Sequence, residues 1–239
     1  MTRRLVLAVL TLSARMLADK VTTATQEQTS HTDRLDFAPG GTIRFEASYG
    51  SLIVDGWDQP QIEVTVTKSM PYYYEKGRGA KNLERVKVSA DRKSPMEATI
   101  STVLPPHHNF PFSNPTGSVK MDYQVHVPRD SHLVIHHGSG YVMISNVNGE
   151  IEATASRGDI MLLLPEPGPY NIDAKTSFGN VLSDFTGDDH SNHLVGERFA
   201  ESNTGAAKRI YLRMGFGGIT IKELQRTAPG AGPDAHQRP

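Results

Sequence analysis

A five-residue phrase, glycine followed by apolar side chains two and four positions on, recurs along this chain and limits what it can fold into. In the central stretch it reads Gly140-x-Val142-x-Ile144, Gly149-x-Ile151-x-Ala153 and Gly158-x-Ile160-x-Leu162, the glycines nine residues apart both times. Apolar residues two apart share one face of an extended strand, so each phrase predicts a short strand with one buried side. Glycine tolerates the positive φ of tight turns, so Asn148-Gly149 and Arg157-Gly158 are expected to supply the turns between strands. Two inward side chains per pass, about 1.5–3 kcal/mol each when fully buried, cannot hold a pass on their own. Successive passes must stack on one another. The expected fold is all-β, an elongated β-solenoid or β-helix-like pile of short strands, with a twisted β-sandwich as the alternative.

The phrase also stands nearer both ends of the chain, as Gly41-x-Ile43-x-Phe45, Gly50-x-Leu52-x-Val54 and Gly217-x-Ile219-x-Ile221, with Gly179 and Val181 between. Asp55-Gly56 reads as a further turn, and 184–192 as an acidic loop. Ile62, Val64 and Val66 alternate cleanly, as do Val119, Met121, Tyr123, Val125 and Val127. Two stretches interrupt the pattern as insertions. Residues 70–82 carry Tyr72, Tyr73 and Tyr74, and residues 103–117 carry His107, His108, Phe110 and Phe112 among prolines too dense for a central strand.

The first eighteen residues have the make-up of an export signal: Arg3 and Arg4, an apolar run from Leu5 to Leu12, and a cleavage site at Met16-Leu17-Ala18. Residues 19–36 read as a flexible polar leader, 37–224 as one β domain, and the Pro/Gly-rich 225–239 as a disordered tail. No cysteine is present, which excludes disulfides, thiol nucleophiles and thiolate metal sites. The formal charge of −1 gives no electrostatic footprint for nucleic acid. The expected location is extracytoplasmic, periplasmic or cell-surface, with no membrane span once the signal is removed.

The succession Phe45-x-x-x-Tyr49-Gly50-Ser-Leu52, then Val125-x-Val127-Pro128 and Leu133, runs on through Gly140, Gly149, Gly158 and Gly179 to Gly217-Gly-Ile219-Thr-Ile221. Together these residues resemble the bacterial putative-adhesin family over roughly Phe37 to Leu224. The resemblance implies an exported, cell-envelope protein with a stacked β body, a suspected adhesin or a part of an envelope-stress system. It brings no catalytic residues and no cofactor.

Candidate chemistry is weighed against plainer roles. Asp188, Asp189, His190 and His193 lie within six residues and could hold zinc, but histidines three apart converge only on a helix. In an extended strand the adjacent pairs His107-His108 and His136-His137 point to opposite faces, so neither grips one ion. Arg157-Gly158-Asp159 spells an integrin-type tripeptide whose glycine the repeat already requires. No GxSxG elbow, Walker loop or HExxH is present. A carbohydrate-active enzyme on a β-helix is a minority reading, with Asp173, Lys175, Glu150 and Glu152 as its outward polar residues. Rigid aromatic rings suit binding surfaces. Tyr72, Tyr73, Tyr74, Phe110 and Phe112, with Trp57, either fold back with the insertions to plug the stack or form the best candidate contact surface for a glycan or an envelope protein. The functional expectation is a non-enzymatic binding or structural module.

Overall fold

The computed structural model describes residues 28–70, 83–103, 119–165, 169–191, 196–202, 205 and 208–224. These residues form thirteen strands in one large mixed sheet, with nothing helical beyond the short stretch 83–85. The strands are β1 (Gln28–Asp36), β2 (Thr42–Trp57), β3 (Gln61–Ser69), β4 (Lys87–Ser94), β5 (Glu97–Val103), β6 (Lys120–Pro128) and β7 (His132–Ser145). They continue with β8 (Ile151–Leu164), β9 (Tyr170–Phe178), β10 (Val181–Ser183), β11 (Asp188–Ser191), β12 (Glu197–Glu201) and β13 (Lys208–Glu223). The hydrogen-bonded order is β1-β3-β6-β2-β7-β8-β13-β9-β12-β11, with β5 also on β2, β4 on β5 and β10 on β13. Among the described residues no helix is long and apolar enough to cross a membrane.

Four long strands, β2, β7, β8 and β13, lie side by side, parallel and in register. Successive residues alternate between buried and accessible along β8 and β13, as the pleat requires. Ile43, Leu133, Ile151 and Ile210 therefore form one inward row, and Leu52, Val142, Ile160 and Ile219 another. All eight are at most 1% exposed and belong to a single core cluster.

Partner exchange happens at one level. The first half of β2 pairs with β5 and the second half with β6. Likewise, β13 pairs first with β9 and then with β10. The level is marked by glycines in register: Gly50, Gly140, Gly158 and Gly217, with Gly179 immediately after β9. All five have positive φ, between 115° and 145°. A Cβ on Gly140 would overlap the carbonyl oxygen of Gly50, one on Gly158 that of Gly140, and one on Gly217 that of Gly158.

This column corrects the expected turns. Gly158 lies inside β8, and Asp55-Gly56 lies inside β2. Each ladder skips one pair beside the bend and then resumes in the same register, so the glycine bends the strand without ending it. Two successive phrases can thus be halves of one long bent strand, and Gly149 alone of the central three stands in a connection. Two polar segments also pair where composition left them out of the sheet: Gln28–Asp36, placed in the leader, is β1, and Asp188–Ser191, placed in an acidic loop, is β11. The expected signal segment 1–18 and tail 225–239 lie outside the described residues.

Candidate binding surface

The residues before the bend glycines stand in register: Tyr49, Ser139, Arg157, Phe216 and Phe178. Tyr49 packs against the core, whereas Arg157, Phe216 and Phe178 are exposed at the bend. At the β9–β13 end the position is aromatic and open: Phe178 is 50% and Phe216 51% exposed. Their rings stack with centroids 4.6 Å apart and planes 3° apart, and the Arg157 guanidinium lies 6.0 Å from the Phe216 centroid. Parallel strands in register place identical positions one strand spacing apart, about 4.8 Å, which is why the rings meet face to face.

Beyond the glycines the sheet turns an apolar row outward. Ile53, Met143 and Met161 are half-buried, Thr220 continues the row, and Leu182 ends it at 57% exposure. The Tyr141 hydroxyl donates to Met161 Sδ at 3.3 Å. Burial first, then the neighbouring Asp159 charge, pushes the Tyr141 phenol up. The outer face before the glycines is charged instead. Asp173 accepts from Arg213 Nη2 at 2.7 Å and Arg198 Nε at 3.1 Å, and Arg213 lies 3.8 Å from the Tyr211 ring centroid. Burial pushes the Asp173 carboxyl up, but the two guanidiniums outweigh it and hold the group below its ordinary range.

A carboxylate held ionised by two arginines is a poor proton donor, so Asp173 does not suit the general-acid role of a glycosidase. Glu150 faces His132 at 3.4 Å. Burial raises the Glu201 carboxyl, yet its register partner is Ile172 rather than a second acid. Among the described residues no three His, Asp or Glu side chains gather to hold a metal. His136 is exposed and its neighbour His137 is 3% exposed, on opposite faces of β7. The side chains of Asp189, His190 and His193, and the pair His107-His108, are not among those described.

The integrin-type tripeptide is engaged within the sheet. Arg157 lies over Phe216, Asp159 Oδ1 accepts from the Gly218 N–H at 2.9 Å, and Gly158 is the bend itself. Trp57 has a structural role too. Its indole N–H donates to the Gln61 carbonyl at 2.8 Å, and its ring stacks on His126 at 5.0 Å. Tyr72, Tyr73, Tyr74, Phe110 and Phe112 lie outside the described residues. Phe178 and Phe216 were missed by sequence reasoning, although both carry a signal: each immediately precedes a bend glycine.

No family model matches the chain, and no curated protein matches it. Among solved structures it is similar to a putative cell adhesion protein from Clostridium sporogenes, with TM-score 0.52 and 12% identity over 83% of this chain and 100% of that one. A putative adhesin from Bacteroides fragilis covers 82% of this chain and 97% of its own at 12% identity, with TM-score 0.27. At such identities the likeness to the Clostridium protein is one of fold, and the Bacteroides alignment carries no further weight.

Proposed function

We propose that this chain is an exported, non-enzymatic binding protein of the bacterial cell envelope, of the adhesin kind. Its body is a solenoid-like coil bent at the glycine column, and its contact surface centres on Phe178, Phe216 and Arg157. The observation that carries the reading is the stacked, half-exposed phenylalanine pair. Exposed aromatic area on a rigid strand scaffold loses little entropy on contact, which is the usual make-up of a recognition surface. The parallel, in-register rows support the coil, the make-up of residues 1–18 supports export, and the Clostridium protein's description supports adhesion. The partner is a glycan or an envelope protein.

Two measurements test this. Cell fractionation should find the chain outside the cytoplasm, shortened after Ala18. The mature protein should bind an immobilised glycan or envelope-protein panel, and Phe178→Ala/Phe216→Ala should abolish that binding while leaving the circular dichroism spectrum intact. Undiminished binding by the double variant would move the contact surface elsewhere. If Tyr72→Ala/Tyr73→Ala/Tyr74→Ala alone lost binding, the surface would lie on 70–82.

A further inference from the structure

Among the described residues the core holds one histidine, the side chain whose ordinary titration range lies nearest neutrality. Among the described residues no Asp, Glu, Lys or Arg is buried, and His137 is the one buried histidine, at 3% exposure. Its Nε2 lies 3.0 Å from the carbonyl oxygen of Gly50, the first bend glycine. That oxygen can only accept, so the ring donates through Nε2–H and Nδ1 is the bare nitrogen. Nδ1 is buried and has no hydrogen-bond partner. A neutral imidazole tolerates a bare nitrogen there. A protonated ring would bury a second N–H together with a positive charge.

The same contact recurs without a titratable group. Following the register from His137 through Ala155 and Met214 leads to Thr176, which is 1% exposed. Thr176 Oγ1 donates to the carbonyl oxygen of Gly217 at 2.9 Å. Histidine at one level and threonine at the other cap equivalent bend carbonyls from the inside. Only the first can gain a proton.

Among the described residues no carboxylate on the surrounding inner faces offsets the charge. By register, the titratable groups on β2 and β6 nearest the ring's level are Tyr49, two residues past Ala47, and Tyr123, opposite Leu52, the latter pushed up to about 12, chiefly by burial. Glu46 on β2 and His136 on β7 itself are exposed on the outer face, and Arg157 on β8 is exposed at the bend. The inner faces of β2, β6, β7 and β8 carry no carboxylate among their described residues. Burial lowers the His137 ring, and the carbonyls of Gly50, Ser139 and Ala47 offset this only in part.

We infer that His137 makes the Gly50–Gly140 bend acid-labile: the neutral ring closes the bend, and protonation opens it. A folded state that excludes the proton while the unfolded chain accepts it gains stability as pH rises. The contribution is complete above the ordinary histidine value of 6.5 and is lost progressively below it. Each pH unit in that window changes the unfolding equilibrium by up to about tenfold.

Urea unfolding of the whole chain between pH 8 and pH 5, beside His137→Thr, tests this. The variant supplies the hydroxyl that Thr176 uses. The wild-type midpoint should fall below pH 6.5 and the variant's should fall less, so that any wild-type advantage at pH 8 shrinks as pH drops. Parallel curves would overturn the inference. Should the variant fail to fold, the ring nitrogen shifts of labelled wild-type protein decide. An Nε2–H tautomer that titrates below the ordinary histidine range supports the inference, and ordinary or higher titration overturns it.

Discussion

The carbonyl oxygen of Gly140 occupies the place that a β-carbon on Gly158 would need, two residues paired across β7 and β8. The obstruction is backbone rather than the movable end of a side chain, so it cannot rotate away. Gly158 also has φ of 120°, where a side chain adds strain of its own. Gly158→Ala should therefore destabilise the fold by about 3–5 kcal/mol, strain and overlap together. Gly40 also has positive φ, 80°, but a Cβ there would meet nothing within 4 Å. Gly40→Ala should cost only the strain, about 1–2 kcal/mol. Urea unfolding of the two variants separates the terms, and equal losses would mean that the glycine column does not need its close contacts.

Half-exposed rings contribute little to folding and much to contact. Removing both Phe178 and Phe216 should lower stability by no more than about 2 kcal/mol, since the pair keeps half its surface in water. Affinity for the proposed partner should fall at least about tenfold, as for central aromatic contacts elsewhere. Thermal melts and binding isotherms on the same samples check both halves. A large fall in melting temperature without loss of binding would make the pair structural.

Much of this architecture can be read from local spacing, because a strand's pleat writes burial into alternate positions. Val142, Ile144, Ile160 and Leu162 follow directly from that rule, and all are buried. The use made of each glycine cannot be read the same way. Gly149 in a connection and Gly158 within a strand carry the same local signature, and only the partner strands distinguish them. Gln28–Asp36 went unseen for a different reason. As an edge strand whose first five residues are exposed, it shows no apolar alternation there. The Phe178–Phe216 pair depends on β9 and β13 lying in register across 38 positions of sequence, a relation that neither segment contains alone.

Asp173 should matter above the acid range and cease to matter within it. Its folded-state carboxyl sits below the ordinary 3.8, so its stabilisation is complete above that value and is lost as pH falls through the folded value. Asp173→Asn should cost about 1 kcal/mol at pH 7, a modest figure because the pairs are partly solvated. The difference from wild type should shrink as pH falls below 3.8. Denaturant titrations of the two proteins at neutral and acid pH measure this directly. A gap that stays constant would show that the two arginines do not hold the charge.

Lys68 ties β3 to the segment between Leu83 and Val86. Its Nζ donates to the Val86 carbonyl at 2.5 Å and approaches the Leu83 carbonyl at 3.4 Å, while Leu83 and Val86 bury their side chains in the core. The ammonium thus engages the carbonyl oxygens of Leu83 and Val86 on the segment that leads into β4, and burial lowers its pKa. Lys68→Met keeps much of the aliphatic stem and removes the donors. It should cost about 1.5–3 kcal/mol, the range for hydrogen bonds from a charged group. The loss should concentrate on the segment rather than the sheet, so protease cleavage between residues 70 and 87 should accelerate more than global unfolding does. Uniform acceleration at sites throughout the chain would show that Lys68 stabilises the whole core rather than anchoring this connection.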